Sequence, residues 1–239
     1  VFAIDVSYSA ISSGLTANSI ASISYSMNYL KTTQAVNNQQ ISVGIMTYND
    51  SLQFYDLRTF EEDREGPYVL YVTNVDEPFA AIPPSAWIVP LDSNSNGEIG
   101  IDKLNRLMSF IPNMYTSEEE EKDVRRRSSG MMSDVWSHGC SSAAIVAAKD
   151  SLSKTGGKII IFQSSIPSRG AGMLKNRENG VLYGTKDEPT MYHPRHQDPK
   201  HINTLLSESK NNSSNSSSSS PSYSKKSSNI SIGGVTSTL

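Results

Sequence analysis

The sequence contains one cysteine, Cys140, and this excludes an internal disulfide bond. Small secreted domains usually depend on disulfides, so the scarcity of cysteine favours a reducing compartment. No apolar run reaches the roughly 20 residues that a membrane-spanning helix needs, and no signal segment opens the chain. The first residue already lies in a predicted strand. We therefore expect a cytoplasmic piece of a larger protein.

Excess charge of either sign is also lacking. The net charge is −3, which does not favour a nucleic-acid partner or membrane attraction through total charge. Only 36% of the residues are hydrophobic, and the C-terminal part is dominated by Ser, Asn and Lys. The core must therefore come from roughly the first 180 residues. We predict one domain over 1–183 and a low-complexity, disordered extension over 184–239.

The chain opens with an apolar run that ends in Asp5, followed by Ser7 and Ser9. Such a run predicts a buried strand of a parallel sheet, covered by helices on both faces. Ligands of these sheets collect beyond the carboxyl ends of the strands. The three oxygen-bearing side chains are therefore expected at the sheet edge where a site would lie.

Helical and strand patterns alternate along the first 183 residues, which predicts an α/β fold with a mixed, mainly parallel sheet sandwiched by helices. A proline-rich irregular loop, anchored by Phe79, Trp87 and Ile88, is expected over 76–92. Three helices are also predicted. The first is capped by Ser12 or Ser13 and has Ile20, Ile23, Met27 and Leu30 on its apolar face, the second spans 101–111 and ends at Pro112, and the third is a small-residue helix over 143–152 ended by Gly156. Further strands are predicted at 41–48, 52–57, 69–72 and 158–162.

An insertion is predicted near 115–137, where an acidic block at 118–121 precedes an arginine block at 125–127. Such a charge pattern fits a solvated segment or a docking surface for a partner. Residues 204–229 are rich in Ser and Asn and are expected to be disordered.

The pattern Asp5-x-Ser7-x-Ser9 resembles the first loop of the metal-ion-dependent adhesion site in von Willebrand factor A-type domains. In that family a threonine of a middle loop and an acid after a later strand complete the site. Here the threonine position of the middle loop, 138–142, falls on Gly139 or, after a small shift, on Ser141, and Ser164 stands where the acid would be. One carboxylate holds Mg²⁺ poorly. The resemblance therefore implies a vestigial metal-site loop without a metal.

Four segments in order, 5–14, 43–55, 156–165 and 174–178, look like the trunk domain of the cargo-adaptor subunit of the COPII vesicle coat. The resemblance runs from residue 1 to about 179. It implies a non-enzymatic adaptor that pairs with the GTPase-activating coat subunit. It also implies peripheral association with the endoplasmic reticulum membrane and COPII vesicles, for transport to the Golgi.

In the same family, transmembrane cargo and zinc are bound by the full-length protein. This fragment is expected to hold no cofactor, and its partner interface is unknown. The alternative is an extracellular, metal-dependent A-type adhesion module, which would need an acid in place of Ser164.

Two further patterns predict no site. Residues 92–99 resemble the start of an EF-hand loop, but Lys103 occupies the position of the bidentate glutamate. His193, His196 and His201 lie among prolines, with no cysteine nearby. No nucleophile has a partner base, so catalytic residues are predicted to be absent.

Overall fold

A computed structural model of the chain describes residues 1–37, 40–58, 66–91, 100–115, 139–174, 179–192 and 230–236. Its strands are β1 (Phe2–Asp5), β2 (Ser42–Tyr48), β3 (Leu52–Asp56), β4 (Tyr68–Val72), β5 (Ile88–Pro90), β6 (Gly157–Gln163) and β7 (Ile230–Thr236). Its helices are α1 (Tyr8–Ser12), α2 (Leu15–Asn37), α3 (Pro84–Trp87), α4 (Gly100–Tyr115), α5 (Ser141–Leu152) and α6 (Pro189–Tyr192), with a 3-10 helix at Gly180–Leu182.

The strands form a mixed sheet in the order β4-β3-β2-β1-β6-β7, and β5 pairs with the first part of β2. Strand β1 lies parallel to β2 and β6 on its two sides, while β2, β3 and β4 are antiparallel neighbours. The register places Ile4 opposite Thr47 and Phe162. The carboxyl ends of β1, β2 and β6 therefore meet at one edge of the sheet.

Apolar residues alternate between the two faces of the sheet and build a core on each. One core packs the sheet against α2 and α4 and contains Ile4, Ile23 and Leu104. The other packs it against α3 and α5 and contains Met46, Trp87 and Ala144. The predicted α/β sandwich is confirmed, and in the described part no helix is both long and apolar enough to span a bilayer.

The first helical segment differs from the prediction. The predicted helix is α2, and Gly14, not Ser12 or Ser13, directly precedes it. Ser12 and Ser13 instead lie at the end of a short additional helix, α1, whose N-terminus is capped by Ser7, because the Ser7 hydroxyl accepts the backbone N–H of Ala10. Gly14 adopts a φ of 77°, which ends α1 and lets α2 begin at Leu15. The short α1 places Ser9 at the sheet edge, where its hydroxyl oxygen lies 2.7 Å from that of Ser164.

The predicted end of α4 at Pro112 is wrong, since the helix continues to Tyr115. Proline removes one helical hydrogen bond, which normally ends or kinks a helix. Here Met114 and Tyr115 pack against the core, and the Tyr115 hydroxyl lies 3.3 Å from the Thr47 hydroxyl. These tertiary contacts hold the turn that follows the proline.

The region 76–91 is more regular than the sequence indicated, because α3 and β5 lie in it. Trp87 is fully buried as expected, but Phe79 is 55% exposed and so is not a buried anchor of this region. Pro90 sits in a three-residue strand that pairs with β2 alone among the described strands, a position in which its missing N–H is tolerated.

Strand β7 was not predicted. It pairs in parallel with β6, from Gly157 opposite Ile230 to Gln163 opposite Thr236. The extension predicted to be disordered, 184–239, therefore contains the helix α6 and the strand β7 in its described parts. The insertion near 115–137, the EF-hand-like segment, the three histidines and the Ser/Asn-rich tract at 204–229 lie outside the described residues, except for Tyr115 at the end of α4.

Candidate functional site

The predicted site residues Asp5 and Ser164 meet at the carboxyl end of the sheet. Asp5 is the last residue of β1 and is fully buried, and Ser164 directly follows β6. The two strands are parallel neighbours, so their ends lie side by side although the residues are 159 positions apart. Oxygen atoms of the loops after β1 and β6 therefore gather at this edge of the sheet.

Three hydrogen bonds occupy the Asp5 carboxylate. Oδ1 accepts the backbone N–H of Ser7 at 2.9 Å. Oδ2 accepts both the backbone N–H of Ser164 at 2.9 Å and its hydroxyl at 2.7 Å. A buried carboxylate needs such donors to offset its lost hydration. Asp5 is thus held by the loops that follow β1 and β6.

The serine hydroxyls form a chain of hydrogen bonds that ends at the Asp5 carboxylate. Each hydroxyl has a single hydrogen, and that of Ser164 goes to Asp5. Ser9, 2.7 Å from the Ser164 oxygen, must therefore donate to Ser164. Ser7, 3.1 Å from Ser9 and 3.3 Å from Ser164, donates into the same pair while accepting from Ala10. We call Asp5, Ser7, Ser9 and Ser164 the Asp5 network.

Two further contacts fix the backbone around this network. The hydroxyl of Thr16, on α2, donates to the carbonyl of Asp5 at 2.8 Å. The N–H of Val6 donates to the carbonyl of Tyr48 at 2.9 Å, which continues the pairing of β1 with β2 beyond its last strand residue. Both contacts hold the turn from β1 into α1 against its neighbours.

Tyr48 lies beside Asp5 and is a residue of the site that the sequence patterns did not indicate. Its hydroxyl donates to the carbonyl of Phe162 at 2.8 Å, so the side chain reaches from β2 across β1 to β6. Burial raises its pKa, with a further contribution from the Asp5 carboxylate. The phenol therefore stays protonated and serves as a donor. Its place at the end of an alternating strand, level with Asp5, was the available signal.

The middle loop comes close to the network but does not join it. Cys140 donates its backbone N–H to the carbonyl of Asn49 at 3.0 Å, which ties the start of α5 to the β2–β3 turn. Ser141 is buried in the first turn of α5. Among the described residues, no hydrogen bond links Ser141 to the Asp5 network. Its predicted membership is therefore not supported by a contact.

The arrangement does not fit a divalent cation. The carboxylate oxygen Oδ2, which would have to face a metal, is occupied by two donors from Ser164. No other acidic side chain belongs to the network, and a hydrated Mg²⁺ needs negative charge to offset its partial dehydration. In the described part of the chain, no three His, Cys, Asp or Glu side chains cluster closely enough to hold a metal.

Comparison with known proteins places this architecture in a family. A family model described as the Sec23/Sec24 trunk domain matches residues 1–212. Protein transport protein SEC24 of Dictyostelium discoideum is 28% identical over 197 residues, which cover 81% of this chain and 16% of that protein. Protein transport protein Sec24B of Homo sapiens is 26% identical over 179 residues, covering 75% and 12% respectively.

A solved structure agrees on the fold. The crystal structure of the human COPII-coat protein Sec24c matches with a TM-score of 0.57 at 20% identity, over 99% of this chain and 29% of that one. The chain spans less than a fifth of the length of the two curated relatives. Because the family model matches 212 of the 239 residues, the chain belongs to the Sec23/Sec24 trunk domain family.

Proposed function

We propose that this chain is the trunk of a Sec24-type cargo adaptor of the COPII coat and that it acts through its surfaces, without catalysis. The observation that carries the proposal is the family match over residues 1–212, with curated relatives that are named as SEC24 transport proteins. The similar solved structure is that of a COPII-coat protein, which agrees with this assignment.

The geometry of the Asp5 network supports a structural role. In the described part of the chain, Ser7 and Ser164 supply the donors to its carboxylate oxygens, and its serine hydroxyls donate to one another and to Asp5. A catalytic nucleophile needs a base that is free to take its proton, and the carboxylate that accepts the Ser164 hydroxyl is already held by two N–H donors. The alternative function, metal-dependent adhesion, lacks the second acid at this position.

The partner we propose is the GTPase-activating subunit of the COPII coat, through its own trunk domain. The family description joins the two coat subunits under one trunk fold, which supports pairing of related domains. The complex would lie on the cytoplasmic face of the endoplasmic reticulum membrane and carry transmembrane cargo toward the Golgi. Zinc binding and cargo recognition are proposed for parts of the full-length protein outside this chain.

A binding experiment tests the pairing. The purified 239-residue chain is mixed with the GTPase-activating coat subunit and run on a size-exclusion column with light-scattering detection. We expect a one-to-one complex at micromolar concentration. The matched comparison uses the trunk of a curated SEC24 relative, which should compete for the same subunit.

A control mixes the chain with that SEC24 trunk alone, and no complex is expected because both would present the same side of the pair. The proposal fails if the chain and the GTPase-activating subunit elute separately at micromolar concentration. It also fails if the chain binds the SEC24 trunk as tightly as it binds the GTPase-activating subunit.

A further inference from the structure

The three hydroxyl oxygens of the Asp5 network are spaced like ligands of a small cation. The oxygens of Ser7, Ser9 and Ser164 form a triangle with sides of 2.7, 3.1 and 3.3 Å. Adjacent ligands of an octahedral Mg²⁺ lie about 3 Å apart, because each is about 2.1 Å from the ion. The oxygen positions alone therefore suit three neighbouring places in a coordination shell.

The protons, however, are arranged for a cluster without a cation. Ser9 donates to Ser164, and Ser164 donates to Asp5. The Ser164 backbone N–H reaches the same carboxylate oxygen. The N–H and O–H groups of Ser164 thus both donate to Oδ2. In a metal site, this oxygen would instead face the cation or a water molecule bound to it.

We propose that Ser164 takes the place of a cation in this domain. Its N–H and O–H offset the charge of Asp5 and join the end of β6 to the end of β1. The Ser7 and Ser9 oxygens, 3.1 Å apart, keep a spacing that suits a coordination shell. With Asp5 in place, the residue at position 164 therefore decides whether the cluster is held by protons or by a divalent ion. This inference concerns the stability of the domain and does not depend on the proposed transport function.

Thermal unfolding of the 239-residue chain, with millimolar Mg²⁺ or with EDTA, tests the first half of the proposal. The Tm of the wild type should differ by less than about 1 °C between the two conditions. Ser164→Ala removes the donor to Asp5 and the acceptor of Ser9, and it should lower the Tm by about 3 °C in both conditions.

A second variant tests the conversion to metal dependence. Ser164→Asp places a second carboxylate beside Asp5, so the Tm should fall in EDTA through repulsion of like charges. Millimolar Mg²⁺ should then raise the Tm of this variant by about 4 °C or more. Ser164→Asn is the matched control, with similar size and no added charge, and it should not respond to Mg²⁺. The Asp5→Asn/Ser164→Asp double variant should also lose the response.

Three results would overturn the inference. The first is a Mg²⁺-dependent rise in the wild-type Tm that Asp5→Asn abolishes, because a cation site would then already exist. The second is a folded Ser164→Asp variant whose Tm ignores Mg²⁺. The third is a Ser164→Ala variant whose Tm equals that of the wild type. If the Ser164→Asp variant does not fold in either condition, the wild-type and Ser164→Ala measurements decide the outcome.

Discussion

Tyr55 donates its hydroxyl hydrogen to Thr47 across the β2–β3 pair, with 2.6 Å between the two oxygen atoms. The direction follows because the single hydrogen of Thr47 goes to the side-chain oxygen of Gln53 at 2.9 Å. Gln53 in turn donates to Asn49 in the hairpin turn. Burial raises the pKa of Tyr55, so the phenol keeps the hydrogen that it donates. A polar chain therefore runs through the core under α4.

Replacement of Thr47 with valine should destabilise the domain by about 1–3 kcal/mol, because buried polar groups lose their partner. Tyr55→Phe removes the donor that would be left, so the cost of the Thr47→Val/Tyr55→Phe double variant should be smaller than the sum of the single costs. Urea unfolding followed by circular dichroism measures all three. Thr32→Val, on the exposed face of α2, is the control and should change stability by less than about 0.5 kcal/mol. Strict additivity would contradict the coupling.

Local sequence patterns predicted the helices and strands in which apolar residues recur at regular spacings. The apolar run before Asp5 is a central strand, the Asn49–Asp50 turn joins an antiparallel pair, and Gly156 with a φ of 71° precedes β6 as expected. The meeting of Asp5 and Ser164 also followed from the sequence, because parallel strands bring their carboxyl ends together and the family resemblance paired these loops. The sequence therefore predicted where these strands and site residues lie in the sheet.

Contacts between distant segments could not be predicted in the same way. The helix passes Pro112 because Tyr115 meets Thr47, a residue 68 positions earlier. Tyr48 reaches Phe162 across 114 positions, and no local pattern encodes that distance. Thr47 and Gln53 are directly paired in the sheet, so a polar pair on one buried face was a usable signal that was missed. Strand β7 follows a low-complexity tract whose composition concealed it.

Gly44 is required by the packing of β2 against Trp87. A Cβ at this position would lie 2.8 Å from the Ile88 side chain and 3.1 Å from the Trp87 ring. Trp87 is fully buried and stands edge-on to Phe54, with 5.2 Å between the ring centroids, so it cannot move freely. Gly44→Ala should therefore cost about 1–3 kcal/mol through overpacking, as measured by urea unfolding.

Gly180 provides the matched control for this substitution, because a Cβ there would meet nothing within 4 Å. Gly180→Ala should leave the free energy of unfolding within about 0.5 kcal/mol of the wild type. Equal effects at the two glycines would show that steric contact with Trp87 is not the cause of the loss at Gly44.

The ion pair between Asp56 and Arg58 should give the domain a dependence on acid pH. Arg58 Nε and its backbone N–H each lie 3.0 Å from Oδ1 of Asp56, and a terminal nitrogen lies 2.6 Å from Oδ2. These Arg58 hydrogen bonds lower the pKa of Asp56 in the folded state. Stability from this pair is complete above the ordinary Asp pKa of about 3.9 and is lost as the pH falls through the lowered value.

Asp56→Asn should accordingly lower the Tm slightly at neutral pH, and the gap to the wild type should close as the pH falls below about 4. Arg58→Met removes the donor from the other side and should show the same narrowing. The measurement is a series of thermal unfolding curves between neutral and acid pH at constant ionic strength. A gap that widens toward acid pH would contradict the assigned sign.

Cys140 should be nearly unreactive in the folded chain, although it lies close to the sheet edge that carries the Asp5 network. The side chain is fully buried. Burial raises the pKa of the thiol to about 12, with a smaller contribution from the nearby Asp50 charge. At pH 8 only about one thiol in ten thousand would be ionised, compared with about a quarter for a free cysteine.

Since the thiolate is the nucleophile, labelling with a disulfide reagent should be at least about a thousandfold slower than in denaturant. Cys140→Ser should abolish labelling in both conditions, because the chain has no other cysteine. Labelling of the native chain at the free-thiol rate would show that the start of α5 separates readily from the β2–β3 turn, and that the hydrogen bond from Cys140 to Asn49 does not hold the two together.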